Sequence, residues 1–141
     1  MSATADHAET SLAVRLGFQP DQVVQEIGYD DDVDQELRES IEQVIGSELM
    51  DEDYDDVADA VLLWFRDEDG DLTDALVDAI GFLEEDGHIV LLTPKTGRDG
   101  YVEPSDINDA AQTAGLSQTK STSAGKDWVG TRLLSPKAAR K

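Results

Sequence analysis

Apolar and polar positions change their rhythm several times along this chain. Gln22-Val-Val-Gln-Glu-Ile27 reads as a short strand, introduced by Gly17-Phe-Gln-Pro-Asp21 and closed by Gly28. From Val33 to Met50 the apolar residues are Val33, Leu37, Ile41, Val44, Ile45 and Leu49. That spacing of three to four marks one face of a helix, opened by an Asp cap. Val57 to Phe65 is apolar without alternation and bounded by Asp runs, which predicts a strand buried on both faces. Leu72, Leu76, Ile80 and Leu83 predict a second helix, with Asp71 and Asp74 in the first turn where its dipole favours them. After a turn at Glu85-Asp86-Gly87, His88-Ile-Val-Leu-Leu-Thr93 is a second doubly buried strand. Ser105 is placed to cap a third helix through Ile107, Ala110 and Ala111, which stops at Gly115. Gln118 to Ser135 splits at Ala124-Gly125-Lys126-Asp127 into two extended pieces, a terminal hairpin.

This alternation predicts an α/β domain over residues 12–135, with a mostly parallel sheet of about five strands, about three helices and a C-terminal antiparallel hairpin. Residues 1–11 lack apolar periodicity, and 136–141 form a short basic tail after a Ser-Pro break; both are expected to be mobile. Two strands without a polar side need cover on both faces. Three helices supply it if they divide between the faces, and otherwise a second copy of the chain must, so a homodimer is one partner left open.

Charge changes the picture more than length does. The 141 residues carry 32 acids and 11 bases, a formal net charge of −21. Residues 1–92 hold 27 acids and 3 bases, while 93–141 hold 5 acids and 8 bases, so the chain is electrically two-sided. A field this negative repels nucleic-acid phosphates and anionic membranes, and leaves a basic protein as the complementary partner. Asp outnumbers Lys 21 to 5, so a high-salt cytoplasm would produce the same total with no partner implied. The absence of cysteine excludes disulfides, thiolate zinc sites, iron–sulfur clusters and cysteine nucleophiles. Its longest apolar run, Ala60 to Phe65, is too short for a bilayer, and Met1 to Thr10 is acidic, which makes a cytoplasmic location the expectation.

Laid end to end, Phe18-Gln-Pro-Asp-Gln-Val-Val-Gln-Glu-Ile-Gly28, Asp59-Ala-Val-Leu-Leu-Trp-Phe65 and Leu83-Glu-Glu-Asp-Gly-His-Ile-Val-Leu-Leu92 resemble the first, fourth and fifth strands of class I S-adenosylmethionine-dependent methyltransferases. The likeness runs over about residues 16–135 and implies a small, reduced Rossmann-like fold. More closely, the whole chain resembles the actinobacterial family labelled domain of unknown function 3052, short acidic proteins with this opening and this Trp64-Phe-Arg-Asp-Glu-Asp-Gly70 segment. That resemblance implies a source and no chemistry. The methyltransferase resemblance implies a Gly-x-Gly-x-Gly loop after the acid of the first strand, where bare backbone curves around the cofactor. Here the run is Glu26-Ile-Gly28-Tyr-Asp-Asp-Asp32, which keeps only Gly28. The resemblance also implies an acidic residue at the end of a second strand, holding ribose hydroxyls, but no strand is readable between Met50 and Val57. A complete fold of that kind has about seven strands, more than this chain accommodates.

Candidate chemistry is sparse. Asp67, Asp69 and Asp71 have calcium-loop spacing, but the sixth position is Leu72 instead of Gly and the twelfth is Asp78 instead of Glu. A solvated turn before a helix is the simpler reading. His7 and His88 are too few and too far apart for a metal site, and His88 is expected at a strand edge. No P-loop is present, and neither histidine is placed for a Ser/His/Asp triad. Thr93-Pro-Lys-Thr-Gly-Arg-Asp-Gly100 is a basic loop beyond a strand's carboxyl end, where open α/β sheets bind ligands. Glu26, Gly28, Lys95, Thr96, Gly97 and Arg98 are therefore the candidate ligand-binding residues, with no catalytic residue, metal or cofactor assigned. The function expected is a non-enzymatic acidic regulatory or protein-interaction module; the alternative is an S-adenosylmethionine or nucleotide binder, or a degenerate methyltransferase.

Overall fold

The computed structural model describes residues 13–54, 56–124 and 126–134, so the expected mobile ends lie outside the described residues. Its strands are β1 (Val24–Ile27), β2 (Ala58–Trp64), β3 (Leu83–Pro94), β4 (Ser117–Ser123) and β5 (Trp128–Leu134). Three helices join them: α1 (Gln35–Ile45), α2 (Leu72–Ile80) and α3 (Pro104–Ala114). The strands form one sheet in the order β1-β2-β3-β5-β4. β1, β2 and β3 run parallel, and β5 lies antiparallel to both β3 and β4. The sheet is thus mixed, not mostly parallel as the alternation predicts. The hairpin accounts for the difference: β5 enters beside β3 and carries β4 to the edge, which makes two of the four pairings antiparallel.

Successive residues of β2 and β3 point to opposite faces of the sheet and feed two separate cores. Ala60, Leu62, Trp64, Val90 and Leu92 meet Leu37, Ile41 and Ile45 of α1 and Ala13, Leu16 and Phe18 ahead of β1. Val61, Leu63, Phe65, Ile89 and Leu91 meet Leu72 and Leu76 of α2 and Ile107, Ala110 and Ala111 of α3. One chain therefore covers both faces, which removes the shortage of cover that left a second copy as the remedy.

The helices divide because the chain reverses direction. After α1, Met50 makes a single parallel bridge to Gln25 on the outer side of β1, with Glu26 N donating to Met50 O (2.7 Å) and Met50 N to Val24 O (2.8 Å). The chain then crosses to β2 on the other side. Right-handed crossovers in opposite directions put α1 on one face and α2 on the other, and leave a crevice at the carboxyl ends of β1 and β2. Met50 is the rudiment of a strand where none is readable.

Local signals account for most boundaries. Asp34 caps α1 by accepting from Leu37 N (2.9 Å), and Gly46, at φ +82°, closes it four residues before Met50. α2 stops at Gly81, so Leu83 begins β3 instead of ending the helix. The cap of α3 is Glu103, not Ser105, because Pro104 takes the first helical position, where its missing N–H costs nothing. Among the described residues no helix is long and apolar enough to cross a membrane.

Candidate functional site

Glu26, the last buried residue of β1, is 5% exposed, and both its oxygens are engaged. Arg38 of α1 forks onto it, Nε to Oε2 at 2.6 Å and Nη2 to Oε1 at 2.8 Å, and Trp64 Nε1 donates to Oε2 at 2.9 Å. The carboxylate holds the Arg38 guanidinium above its ordinary pKa. Two residues on, Gly28 turns the chain at φ +84°, and a Cβ there would lie 2.2 Å from the Trp64 carbonyl oxygen. Its N–H donates to Glu52 Oε2 (2.8 Å), from the segment just past the Met50 bridge. Glu26, Tyr29, Arg38, Asp51, Glu52 and Asp53 surround a cavity of about 390 Å³.

Arg66, two residues beyond β2, closes the crevice from the other side. Its guanidinium donates to Gly28 O (2.8 Å), forks onto both oxygens of Asp32, reaches Asp69 Oδ2 (3.3 Å) and lies over the Trp128 ring at 5.3 Å. Trp128 Nε1 donates in turn to Asp32 O (3.1 Å). Burial acts to lower the Arg66 pKa, but hydrogen bonds and charge from Asp32 and Asp69 outweigh it, and the net shift is upward. The Arg66 hydrogen bond holds Asp32 below the ordinary carboxylate value against a partial desolvation. The loop after β1 is thereby tied to β2, β5 and the segment after Met50.

Lys95, Thr96, Gly97 and Arg98 form a turn past β3, Lys95 half-buried and the other three exposed, with Arg98 N donating to Lys95 O (3.0 Å). Arg98 pairs with Asp127 in the β4–β5 turn at 2.7 Å. None of these four residues lines the cavity beside Glu26, so the six candidate residues fall into two places along one sheet edge. The Asp67–Asp71 carboxylates have local roles: Asp69 accepts from Arg66 N (2.9 Å) and Asp71 from Thr73 N (2.8 Å) as the cap of α2. Among the described residues no group of three or more His, Cys, Asp or Glu is arranged to hold a metal. His88 is a buried core residue, 4% exposed, and does not sit at a strand edge as expected.

Arg38, Arg66 and Glu52 complete the crevice without having been singled out. The signal was rarity: residues 1–92 contain three bases, Arg15, Arg38 and Arg66, among 27 acids. A base placed against that field is a candidate for a structural ion pair.

Residues 13–137 match the family described as Protein of unknown function (DUF3052). The chain belongs to this family. Members of similar sequence include the uncharacterized proteins Rv2239c of Mycobacterium tuberculosis (strain ATCC 25618 / H37Rv) and Mb2263c of Mycobacterium bovis. Each is 54% identical over 134 residues, covering 95% of this chain and 84% of its own length. Among solved structures, precorrin-6y C5,15-methyltransferase from Geobacter metallireducens GS-15 superposes with a TM-score of 0.62 at 11% identity, over 92% of this chain and 88% of that one. Magnesium protoporphyrin IX methyltransferase (ChlM) from Synechocystis PCC 6803 with bound SAM gives 0.54 at 11% identity, over 94% and 78%. At such identities the likeness shows a methyltransferase-like fold and nothing of activity.

The DUF3052 crevice does not fit S-adenosylmethionine as it stands. Gly28, where bare backbone would curve around the cofactor, has its N–H on Glu52 and its carbonyl under Arg66. Glu26 is engaged by Arg38 and Trp64, and the run Gly28-Tyr-Asp-Asp-Asp32 keeps only the first glycine of the Gly-x-Gly-x-Gly pattern.

Proposed function

We propose that this protein is a non-enzymatic interaction module, a reduced methyltransferase-like scaffold whose acidic crevice rim receives basic side chains of a protein partner. The observation that carries the reading is the internal satisfaction of the crevice: the polar atoms of Glu26 and Gly28 are taken by Arg38, Trp64, Glu52 and Arg66. Outside that seal the rim is open and negative, with Asp30, Asp31, Asp51, Glu52 and Asp53 exposed. Exposed carboxylates at this density raise the local concentration of a cationic partner and lose that effect as salt screens them.

Two measurements test the reading. A ligand at one hundred times its Kd raises native stability by about 2.7 kcal/mol, so millimolar S-adenosylmethionine is expected to leave the melting temperature unchanged. A saturable rise overturns the proposal. An arginine-rich peptide is expected to bind at low salt and release at high salt, and to be lost when Asp51 and Asp53 are both changed to Lys. Binding indifferent to that charge reversal overturns the docking part.

A second reading, a nucleotide binder or degenerate methyltransferase, is favoured by one observation. Glu26 lies next to the end of β1, Glu52 follows the Met50 rudiment beside it, and both line the same cavity, the placement the methyltransferase resemblance implies for cofactor-holding acids. That reading requires Glu52 to leave the Gly28 N–H, and the same cofactor titration decides it.

A further inference from the structure

Where the β1 edge meets α2, Ile27, Leu63, Ala75, Phe82, Glu52 and Asp78 line a cleft of about 310 Å³. Its place follows from how β1 is covered. Val24 and Glu26 turn to the α1 face, while Gln25 and Ile27 turn to the face that carries α2 and α3. The segment after Met50 closes over Gln25, whose Nε2 donates to Asp51 O (3.1 Å) and Tyr54 O (3.0 Å), and that residue is wholly buried. Ile27, two residues on, stays half-buried against its register partner Leu63. Parallel strands bury both faces under helices, and among the described residues this face has α2 and α3. The cleft therefore lies where one more helix would complete the cover of β1.

Its lining is of two kinds. Ile27, Leu63 and Phe82 make an apolar floor, and the small side chain of Ala75 leaves it open on the α2 side. Glu52 and Asp78, both exposed, make an acidic rim, and exposed Asp74 precedes Asp78 by one turn of α2. Glu52 also lines the cavity beside Glu26, so the apolar cleft and the acidic crevice share a wall. Three occupants compete for such a place. A second copy, meeting this one across a two-fold axis, would bring the same acids and another −21 against them. The chain's own ends lack the chemistry: residues 1–12 include two acids and no Lys or Arg, and 135–141, though basic, contain no Val, Leu, Ile, Met, Phe, Tyr or Trp. An amphipathic helix of another protein, apolar on one face with Lys or Arg beside it, answers both floor and rim.

We propose that this cleft seats the apolar face of a basic amphipathic helix belonging to a protein partner. This occupant rests on the docking reading given above for the acidic rim, and the cleft supplies it with an anchor that salt does not screen.

The test is an anisotropy titration of the whole protein against two labelled helical peptides of identical leucine and lysine composition. One carries its leucines on a single face, and the other has them scattered around the helix. The single-faced peptide is expected to bind about tenfold or more tighter at about 0.15 M salt. Ala75→Phe, which fills the cleft from α2, is expected to erase that preference while leaving the binding of an arginine-rich peptide at Asp51 and Asp53 unchanged. Because Ala75 is half-buried, Asp78→Lys, at an exposed position, is the second arm and is expected to weaken the single-faced peptide several-fold with cooperative melting retained. Equal affinity for the two peptides, a preference that survives Ala75→Phe, or an affinity unmoved by Asp78→Lys each overturns the cleft as the anchor, and the docking reading then stands or falls on the arginine-rich peptide alone. Light scattering that shows wild type dimerising and Ala75→Phe monomeric assigns the cleft to a second copy and overturns the proposal as well.

Discussion

Gly28 tolerates no side chain: a Cβ would stand 2.2 Å from a backbone oxygen of β2, which no rotamer change relieves, and φ is +84°. Gly28→Ala is expected to cost about 2–4 kcal/mol in urea unfolding, the sum of left-handed strain and displaced backbone. An unchanged midpoint would mean that the loop rebuilds without loss. His88 supplies a residue-scale prediction of a different kind. Burial, then the Arg132 charge, lowers its pKa from 6.5 to about 4, with the Leu16 bond and Asp59 opposing. Between those values the unfolded chain binds a proton that the folded one refuses. The contribution is complete above pH 6.5 and is lost as pH falls towards 4, by up to about 3 kcal/mol. Protonation of carboxylates perturbs the same range, so the quantity to measure is the difference between wild type and His88→Gln across it. Parallel stability curves for the two proteins would show that His88 titrates normally.

Caps and strands fix the elements with unequal force. Asp34→Ala removes the acceptor for Leu37 N and is expected to cost about 1 kcal/mol, whereas Ser105→Ala, one place inside α3, is expected to stay within about 0.5 kcal/mol. Equal losses at the two positions would return the α3 cap to Ser105. The comparison shows what kind of information a sequence holds at this scale. β2 and the core of β3 were readable because every residue from Ala60 to Phe65 and from Ile89 to Leu92 is apolar and both faces are in use. The Met50 strand was not, because a single bridge has no periodicity. Nor was the insertion of β5 between β3 and β4, since strand order depends on which edge the hairpin finds and leaves no mark on the spacing of apolar residues. In the crevice Glu26 and Gly28 stood out through a known pattern. Their partners Arg38, Glu52 and Arg66 lie 12, 24 and 38 residues from them along the chain, and pairing across such separations follows from topology.

The whole molecule carries −21 with its best-placed arginines already neutralised, so most of that charge has no internal answer. Self-repulsion raises the free energy of the compact state, and the Debye length shortens from about 30 Å at 0.01 M salt to about 3 Å at 1 M. The melting temperature should therefore climb with salt, with the exposed Arg98–Asp127 pair contributing little in opposition. The same repulsion bears on association. Both sheet faces are covered from within one chain, and among the described residues the exposed large apolar ones, Val14, Tyr29, Val57 and Val77, lie on four different segments. Neither feature supplies the broad dry surface that a dimer of like-charged copies needs. Light scattering is expected to give a monomer at both about 0.1 M and about 1 M salt. A dimer confined to the lower salt would instead mean that the basic 93–141 half of one chain meets the acidic half of another. A dimer that persists or tightens at the higher salt would mean an apolar contact, and the cleft of Ile27, Leu63, Ala75 and Phe82 beside the β1 edge is where it would form, because the sheet there ends one strand early.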